Sequence, residues 1–324
     1  RAGAGAARPV RNGGRDSMST RAGFVALIGE PNAGKSTLLN AMVGAKLAPV
    51  THKVQTTRAR LRAVAVADAT QIVFVDTPGL FAPRRALDRA MVTAAWGGAA
   101  DADIVVLLIE AQRGLTDGVR RILDALGARA GAAPVLLAIN KIDRVKRPAL
   151  LGLAADANAA FDFAATFMIS AQTGAGVADL KAWLAGHLPA GPWLYPEDQL
   201  ADLPLRMLAA EITREKLMLR LHQELPYQLT VEGESWEDRA DGAAVIRQIV
   251  YVARDGHKGI VLGKAGGTIK AVRQAAQADI AAMLDRPVHL FVQVKVRPGW
   301  AEEAERLREI GLDPGERHDG APDL

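Results

Sequence analysis

The 324 residues predict an α/β domain with a doubly wound, mostly parallel sheet, followed by a smaller α+β domain. Three observations carry this. Strand-like apolar runs alternate with helical patterns from Phe24 to about Leu188. Pro189, Pro192, Pro196 and Pro204 then interrupt any helix, which reads as an interdomain linker. After them the order becomes helix, two strands, two helices around a glycine turn, and a strand. At roughly 100–200 residues per domain, the length suits two domains.

The expected organisation is a disordered tail over 1–17, the α/β domain over 18–188, the linker over 189–204, the α+β domain over 205–298 and an acidic tail over 299–324. Residues 1–17 are low-complexity and lack periodicity, so they read as disordered, with Met18 the expected natural start. Strands are expected at 24–28, 62–66, 71–75, 104–109, 135–139 and 166–169. In the second segment a helix is expected at 205–221, strands at 227–234 and 244–253, a short helix, a helix at 268–284 and a strand at 288–296.

Gly29-Glu30-Pro31-Asn32-Ala33-Gly34-Lys35-Ser36 fits G-x-x-x-x-G-K-[ST] between an apolar run and a helical pattern that starts at Thr37. The glycines let backbone N–H groups turn around phosphate oxygens, and the helix N-terminus favours negative charge. Lys35 is expected to reach the β/γ-phosphates, and the Ser36 hydroxyl to bind Mg²⁺. Asp76-Thr77-Pro78-Gly79 ends the third apolar run and fits D-x-x-G. There Asp76 attends Mg²⁺ from outside its directly bound ligands, and the Gly79 N–H contacts the γ-phosphate. Alone, that tetrapeptide would read as an ordinary turn.

Asn140-Lys141-Ile142-Asp143 ends the fifth run and fits N-K-x-D. A carboxylate accepts hydrogen bonds from guanine's ring N–H and amine, whereas adenine offers an acceptor to the same oxygen. The mismatch would leave a buried carboxylate unpaired. Ser170-Ala171 follows the sixth run and fits a weaker element whose backbone meets the guanine carbonyl. Four elements at strand ends place one ligand, GTP or GDP, at one sheet edge.

Residues 24–188 resemble the translation-factor-related class of P-loop GTPases. By that resemblance Thr56-Thr57-Arg58 belongs to switch I, with Thr57 a Mg²⁺ ligand when the γ-phosphate is present. Leu80 stands where many GTPases place a glutamine that orients water, so this chain resembles the subgroup with a hydrophobic residue there. Catalysis then rests on other residues: Lys35, Thr57, Gly79 and Asn32. Asn32 has two readings, a ligand for a K⁺ that replaces an arginine finger, or a brace for switch I.

Val261-Leu262-Gly263-Lys264-Ala265-Gly266-Gly267-Thr268-Ile269 fits the KH pattern around a GXXG loop. Such a loop lets two helix ends approach a nucleic-acid backbone, and single-stranded RNA suits it best. Between Arg247 and Arg273 stand six basic residues and one acid, Asp255. Lys258, Gly263, Lys264, Ala265, Gly266, Lys270 and Arg273 are the expected RNA contacts. Ile260, Val261 and Ile269 are either groove floor or core, and His257 is expected in a surface loop. The element order resembles the type II KH fold.

Leu188–Leu217 resembles the linker and first KH helix of the Era family of bacterial ribosome-assembly GTPases, and Val294–Asp313 resembles the end of that family's KH domain. Ala265 departs from a commoner glycine, at a position where alanine is expected to be tolerated. The resemblance implies binding to the 3′ end of 16S rRNA, assistance to 30S subunit assembly, Mg²⁺ and GTP/GDP as ligands, K⁺ as a further candidate ion, and a monomer.

Composition narrows the rivals. Cysteine is absent, which excludes disulfides, thiolate metal sites and cysteine nucleophiles, and is compatible with a reducing cytosol. A GTPase acting in tRNA modification would need an extra catalytic domain or a C-terminal cysteine. A lipid-anchored signalling GTPase would need a lipidation motif, and the ending Ala321-Pro322-Asp323-Leu324 has none. Intact Lys35, Ser36, Asp76 and Asp143 argue against a plain RNA chaperone with a vestigial nucleotide site. The expected location is the cytoplasm, with peripheral contact at the inner membrane left open. The net charge of +4 is misleading, because the basic stretch of the second domain is offset by an acidic run at Glu232–Asp241.

Overall fold

The computed structural model describes residues 20–45, 47–48, 50, 61–76, 80, 86–128, 133–196, 204–222, 225 and 228–300, with backbone alone for 61, 76, 86–91 and 94. The expected tail at 1–17, the threonine pair Thr56-Thr57, Thr77–Gly79, the 197–203 part of the linker and the acidic tail from 301 lie outside the described residues.

The first domain is a six-stranded sheet in the order β2-β3-β1-β4-β5-β6. Its strands are β1 (Arg21–Ile28), β2 (Leu61–Ala67), β3 (Thr70–Asp76), β4 (Ile104–Glu110), β5 (Val135–Asn140) and β6 (Ala165–Met168). β2 runs antiparallel to β3, and the other pairings are parallel. Helices α1 (Lys35–Val43) and α5 (Val177–His187) cover one face, and α2 (Ala86–Ala100), α3 (Asp117–Gly127) and α4 (Arg147–Ala160) the other. Apolar residues on both faces explain why β4 and β5 read as continuous apolar runs. The parallel register brings the C-terminal ends of β1, β3 and β5 to one edge. β1 begins three residues before its expected start, because Arg21–Gly23 pair with Thr70–Ile72.

The second domain starts with α6 (Leu205–Arg220), followed by β7 (Leu229–Asp238), β8 (Ala244–Val252), α7 (Asp255–Leu262), α8 (Gly267–Leu284) and β9 (Val288–Val296). The sheet order is β7-β8-β9, with β7 antiparallel and β9 parallel to β8. The helix–strand order matches the expectation. β7 runs four residues past its expected end, since Glu237 and Asp238 pair with Val245 and Ala244. This edge strand is bulged between Gly233 and Ser235 and carries exposed acids, features that discourage further pairing.

The start of the linker is docked on the sheet. Gln71, fully buried at the start of β3, donates from Nε2 to the Tyr195 carbonyl at 2.8 Å. Its Oε1 accepts from Leu194 N at 2.8 Å and Tyr195 N at 2.9 Å. Trp193 Nε1 donates to the Ala69 carbonyl, and Ala22 N to that of Pro189. Leu208 of α6 shares the apolar cluster of α1 and α5, and Met283 of α8 packs against that cluster. Among the described residues, no helix is long and apolar enough to cross a membrane.

Candidate nucleotide and RNA sites

The phosphate loop leaves β1 and enters α1 through Gly34, whose φ of 103° suits only glycine. A Cβ there would lie 2.2 Å from Asn140 Nδ2. No side chain caps α1, an arrangement that suits a phosphate as the capping group. Lys35 is buried, and its Nζ donates to the carbonyls of Gly29 and Glu30 at 3.0 and 3.1 Å. The ammonium is therefore held against the loop it serves. Ser36 and Thr37 follow in the first turn of α1 and are half-buried, Pro31 is half-buried, and Ala33 is buried. Asn32 sits exposed at the loop's crest with φ 66°.

Asn140 is the brace of the site. Buried at the end of β5, it donates from Nδ2 to the Ala33 carbonyl at 2.9 Å. Its Oδ1 accepts from Lys141 N at 2.8 Å and Ala171 N at 3.0 Å. One side chain thus joins three of the four predicted elements. Asn140 and Ala171, both expected among the nucleotide contacts, also meet each other, because a buried amide needs an acceptor and Asn140 supplies it.

Asp143 follows Lys141, whose φ of 64° turns the chain into a single 3₁₀ turn at Ile142–Arg144. Ser170 Oγ, fully buried, donates to Asp143 Oδ1 at 2.6 Å and accepts from Thr173 N at 3.2 Å. The serine hydroxyl aims the carboxylate, a side-chain role beyond the backbone contact expected of Ser170-Ala171. Lys141 Nζ lies 3.0 Å from Glu110 Oε2. Glu30 leans on the start of α3, where a Cβ at position 118 would meet its carboxylate, and lies 3.6 Å from Arg113. Glu110, Arg113 and Gly118 belong to no motif, so pattern matching gave no signal for them.

Leu80 is 2% exposed and joins the apolar cluster of α2 and β4, while its N–H donates to the Gly29 carbonyl at 3.1 Å. Its side chain serves the core. The Asp76 backbone ends β3 beside Leu27 of β1, as the motif requires. The assignments to the Asp76 carboxylate, Thr57 and Gly79 lie outside the described residues and side chains.

In the second domain α7 and α8 flank the Gly263–Gly266 turn. Gly263 has φ 72°, and a Cβ there would fall 2.1 Å from Thr268 Oγ1. Ala265 has φ 50° and ψ 33°, a left-handed conformation that costs an alanine roughly 1 kcal/mol. Alanine is therefore accommodated at the variant position with strain. Lys264 and Lys270 are exposed, and Lys258 is half-buried on α7. Arg273 is tied inward, with Nη1 donating to Gln277 Oε1 at 3.2 Å and to the Leu290 carbonyl at 3.4 Å. These contacts brace β9 against α8.

The three candidate floor residues divide. Ile260 is 58% exposed, Val261 is fully buried and Ile269 packs on the core. His257 is a buried residue of α7 rather than a surface-loop histidine, because its Nε2 accepts from Arg254 Nε at 2.7 Å. That donor leaves the proton on Nδ1, which is buried without a partner. Burial first, and the Arg254 charge second, hold its pKa below the ordinary histidine value.

Comparison with known proteins agrees with this geometry. Residues 24–141 match the family model of the 50S ribosome-binding GTPases, and residues 224–301 match that of the KH domain. The chain is 71% identical over 299 residues to GTPase Era of Dinoroseobacter shibae, covering 92% of this chain and 97% of that one. It is 58% identical to GTPase Era of Sinorhizobium medicae, covering 92% and 95%. The crystal structure of Aquifex aeolicus Era Y63A bound to GDP.AlF4⁻ superimposes with a TM-score of 0.86 at 34% identity, covering 91% of this chain and all of that one. A structure of Era in complex with MgGDPNP and nucleotides 1506–1542 of 16S rRNA gives the same TM-score and identity over 91% and 99%. Whole-length similarity through both domains shows that the chain belongs to the Era family of GTPases.

Proposed function

We propose that this chain binds GTP and GDP with Mg²⁺, hydrolyses GTP, and uses its KH domain to bind the 3′ end of 16S rRNA during assembly of the 30S subunit. One observation carries this: a guanine site already braced by Asn140 and Ser170 shares a chain with an open GXXG turn. The solved relative that holds both MgGDPNP and a 16S rRNA fragment supports the pairing.

The donor set fits Mg²⁺. Ser36 at the start of α1 would supply a hard oxygen ligand, and Asp76, which ends β3 at the same sheet edge, would attend the ion from outside its directly bound ligands. Phosphate oxygens would complete the shell, as Mg²⁺ prefers. When bound, the ion neutralises charge developing on the phosphates. Asp143, aimed by Ser170, selects guanine. Lys35 places a fixed charge on the β/γ-phosphates, a preorganised electrostatic contribution that demands no rearrangement.

The Leu80 side chain serves the core, so orientation of water falls to the backbone of Gly79 and to Thr57, while Asn32 would either hold a K⁺ that supplies charge in place of an arginine finger or brace switch I. Equal hydrolysis rates in K⁺ and Na⁺ buffers of matched ionic strength would remove the K⁺ contribution. The switch segments reorder with GTP and shift the seating of the KH domain, so RNA affinity depends on the nucleotide, and linkage requires the reverse. The protein acts as a cytoplasmic monomer, with any membrane contact peripheral.

Crosslinking to cellular RNA, with the wild type and with Gly263→Asp/Gly266→Asp, tests the reading. Recovery of the 16S 3′ end, lost in the variant, is the expected result. Recovery of tRNA in its place overturns it.

A further inference from the structure

Val50 is the described residue that leads into 51–60, the segment containing Thr56-Thr57-Arg58. Its backbone N–H donates to Glu215 Oε2 at 3.1 Å, a contact between residues 165 positions apart. Glu215 lies on α6, the first helix of the RNA-binding domain, and is 3% exposed. A carboxylate this deep is costly unless paired and hydrogen-bonded. Lys216 supplies the counter-charge, with Nζ 3.3 Å from Glu215 Oε1 and 2.5 Å from Asp279 Oδ2.

Asp279 belongs to α8, the helix that begins at the GXXG turn. The contacts therefore form a continuous physical connection. It starts at the RNA-facing loop, follows one 18-residue helix to Asp279, crosses through Lys216 to Glu215, and ends on the stem of the switch segment. Leu208 and Met283 pack the same two helices against the first domain's core. A displacement of α6 would separate Glu215 from the Val50 amide while Lys216, on the same helix, stayed with the carboxylate, so this hydrogen bond reports the seating of α6 against the segment.

We propose that Glu215 is the positioning residue through which the KH domain holds the stem of switch I and thereby links RNA occupancy to nucleotide state. Its regulatory half rests on the nucleotide-dependent RNA binding proposed above; the contact itself does not. Glu215 is not among the expected nucleotide or RNA contacts, and it acts through Val50.

Two measurements on the full chain test it, using Glu215→Ala, Glu215→Gln and Val50→Pro. Hydrogen exchange at the Val50 amide should accelerate about tenfold or more in Glu215→Ala. Glu215→Gln, which keeps an acceptor oxygen, should stay near the wild type. Unchanged exchange in Glu215→Ala overturns the contact. The second measurement is the ratio of affinities for a 16S 3′-end oligonucleotide with a non-hydrolysable GTP analogue and with GDP. The wild-type ratio should depart from one by about 5-fold or more. It should collapse below about twofold in Glu215→Ala and Val50→Pro and persist in Glu215→Gln. Val50→Pro deletes the donor and leaves the carboxylate pair intact, so it answers for Glu215→Ala if that variant folds poorly. A wild-type ratio retained in both Glu215→Ala and Val50→Pro overturns the proposal. A ratio of one in the wild type overturns the nucleotide coupling and the regulatory half with it, while the exchange result still judges the contact.

Discussion

The chain contains two glycine turns that each introduce a helix, and they are held differently. The phosphate loop, tied from within by Lys35, is also locked from outside. Asn140, 107 residues away, fixes the Ala33 carbonyl and fills the space beside Gly34. The GXXG turn is held from within. Gly263 packs on Thr268, five residues along, and nothing lies within 4 Å of the side-chain position at Gly266. The first turn is shaped before its ligand arrives, which suits a small, invariant phosphate. The second presents an open surface to a polymer whose backbone must slide into register.

If that contrast holds, damage at the phosphate loop spreads to the fold while damage at the GXXG turn stays local. Gly34→Ala should have the largest effect. Its Cβ meets Asn140 Nδ2 and its φ is left-handed, so nucleotide affinity should fall at least 100-fold, about 2.7 kcal/mol, measured by displacement of a fluorescent guanine nucleotide. Asn140→Ala comes next. It strands three hydrogen-bonding groups, two of them buried, and should cost about 2 kcal/mol in first-domain stability by denaturant titration.

Gly266→Asp should separate the two properties. Stability should drop by only about 1 kcal/mol, from backbone strain, while RNA affinity falls at least tenfold. Equal losses of both would erase the distinction.

His257 gives a pH test confined to the second domain. Its folded pKa lies below its unfolded value, so the unfolded chain binds the proton first as pH falls. KH stability should therefore be constant above neutrality, decline as pH drops through the ordinary histidine range, and level off below the folded pKa. His257→Gln should flatten the profile. Ala265→Gly should be the smallest effect, a gain of at most about 1 kcal/mol as relief of left-handed strain is partly offset by chain entropy.

What the sequence revealed follows the same division. The four nucleotide motifs and the GXXG loop are short and contiguous, so their chemistry is legible in order. The element types were legible because β4 and β5 are buried on both faces and the helices repeat their apolar stripes. The braces were not, because Asn140 to Ala33, Gln71 to Tyr195 and Glu215 to Val50 join positions 107, 124 and 165 residues apart. Burial set against composition produced the remaining differences. Glu237 and Asp238 fall past the expected strand end although they extend an edge strand, and His257 reads as a surface residue although it is buried on α7, where its Nε2 accepts from Arg254.

The proline-rich stretch after α5 has a practical consequence for anyone dissecting the molecule. Composition places the end of the first domain at Leu188. Cutting there would strip Gln71 of its partners on Leu194 and Tyr195, leave Trp193 without Ala69, and unpair Ala22 from Pro189. Residues 189–196 are a seam sewn to the sheet, and a GTPase fragment meant to stand alone should carry them to Pro196.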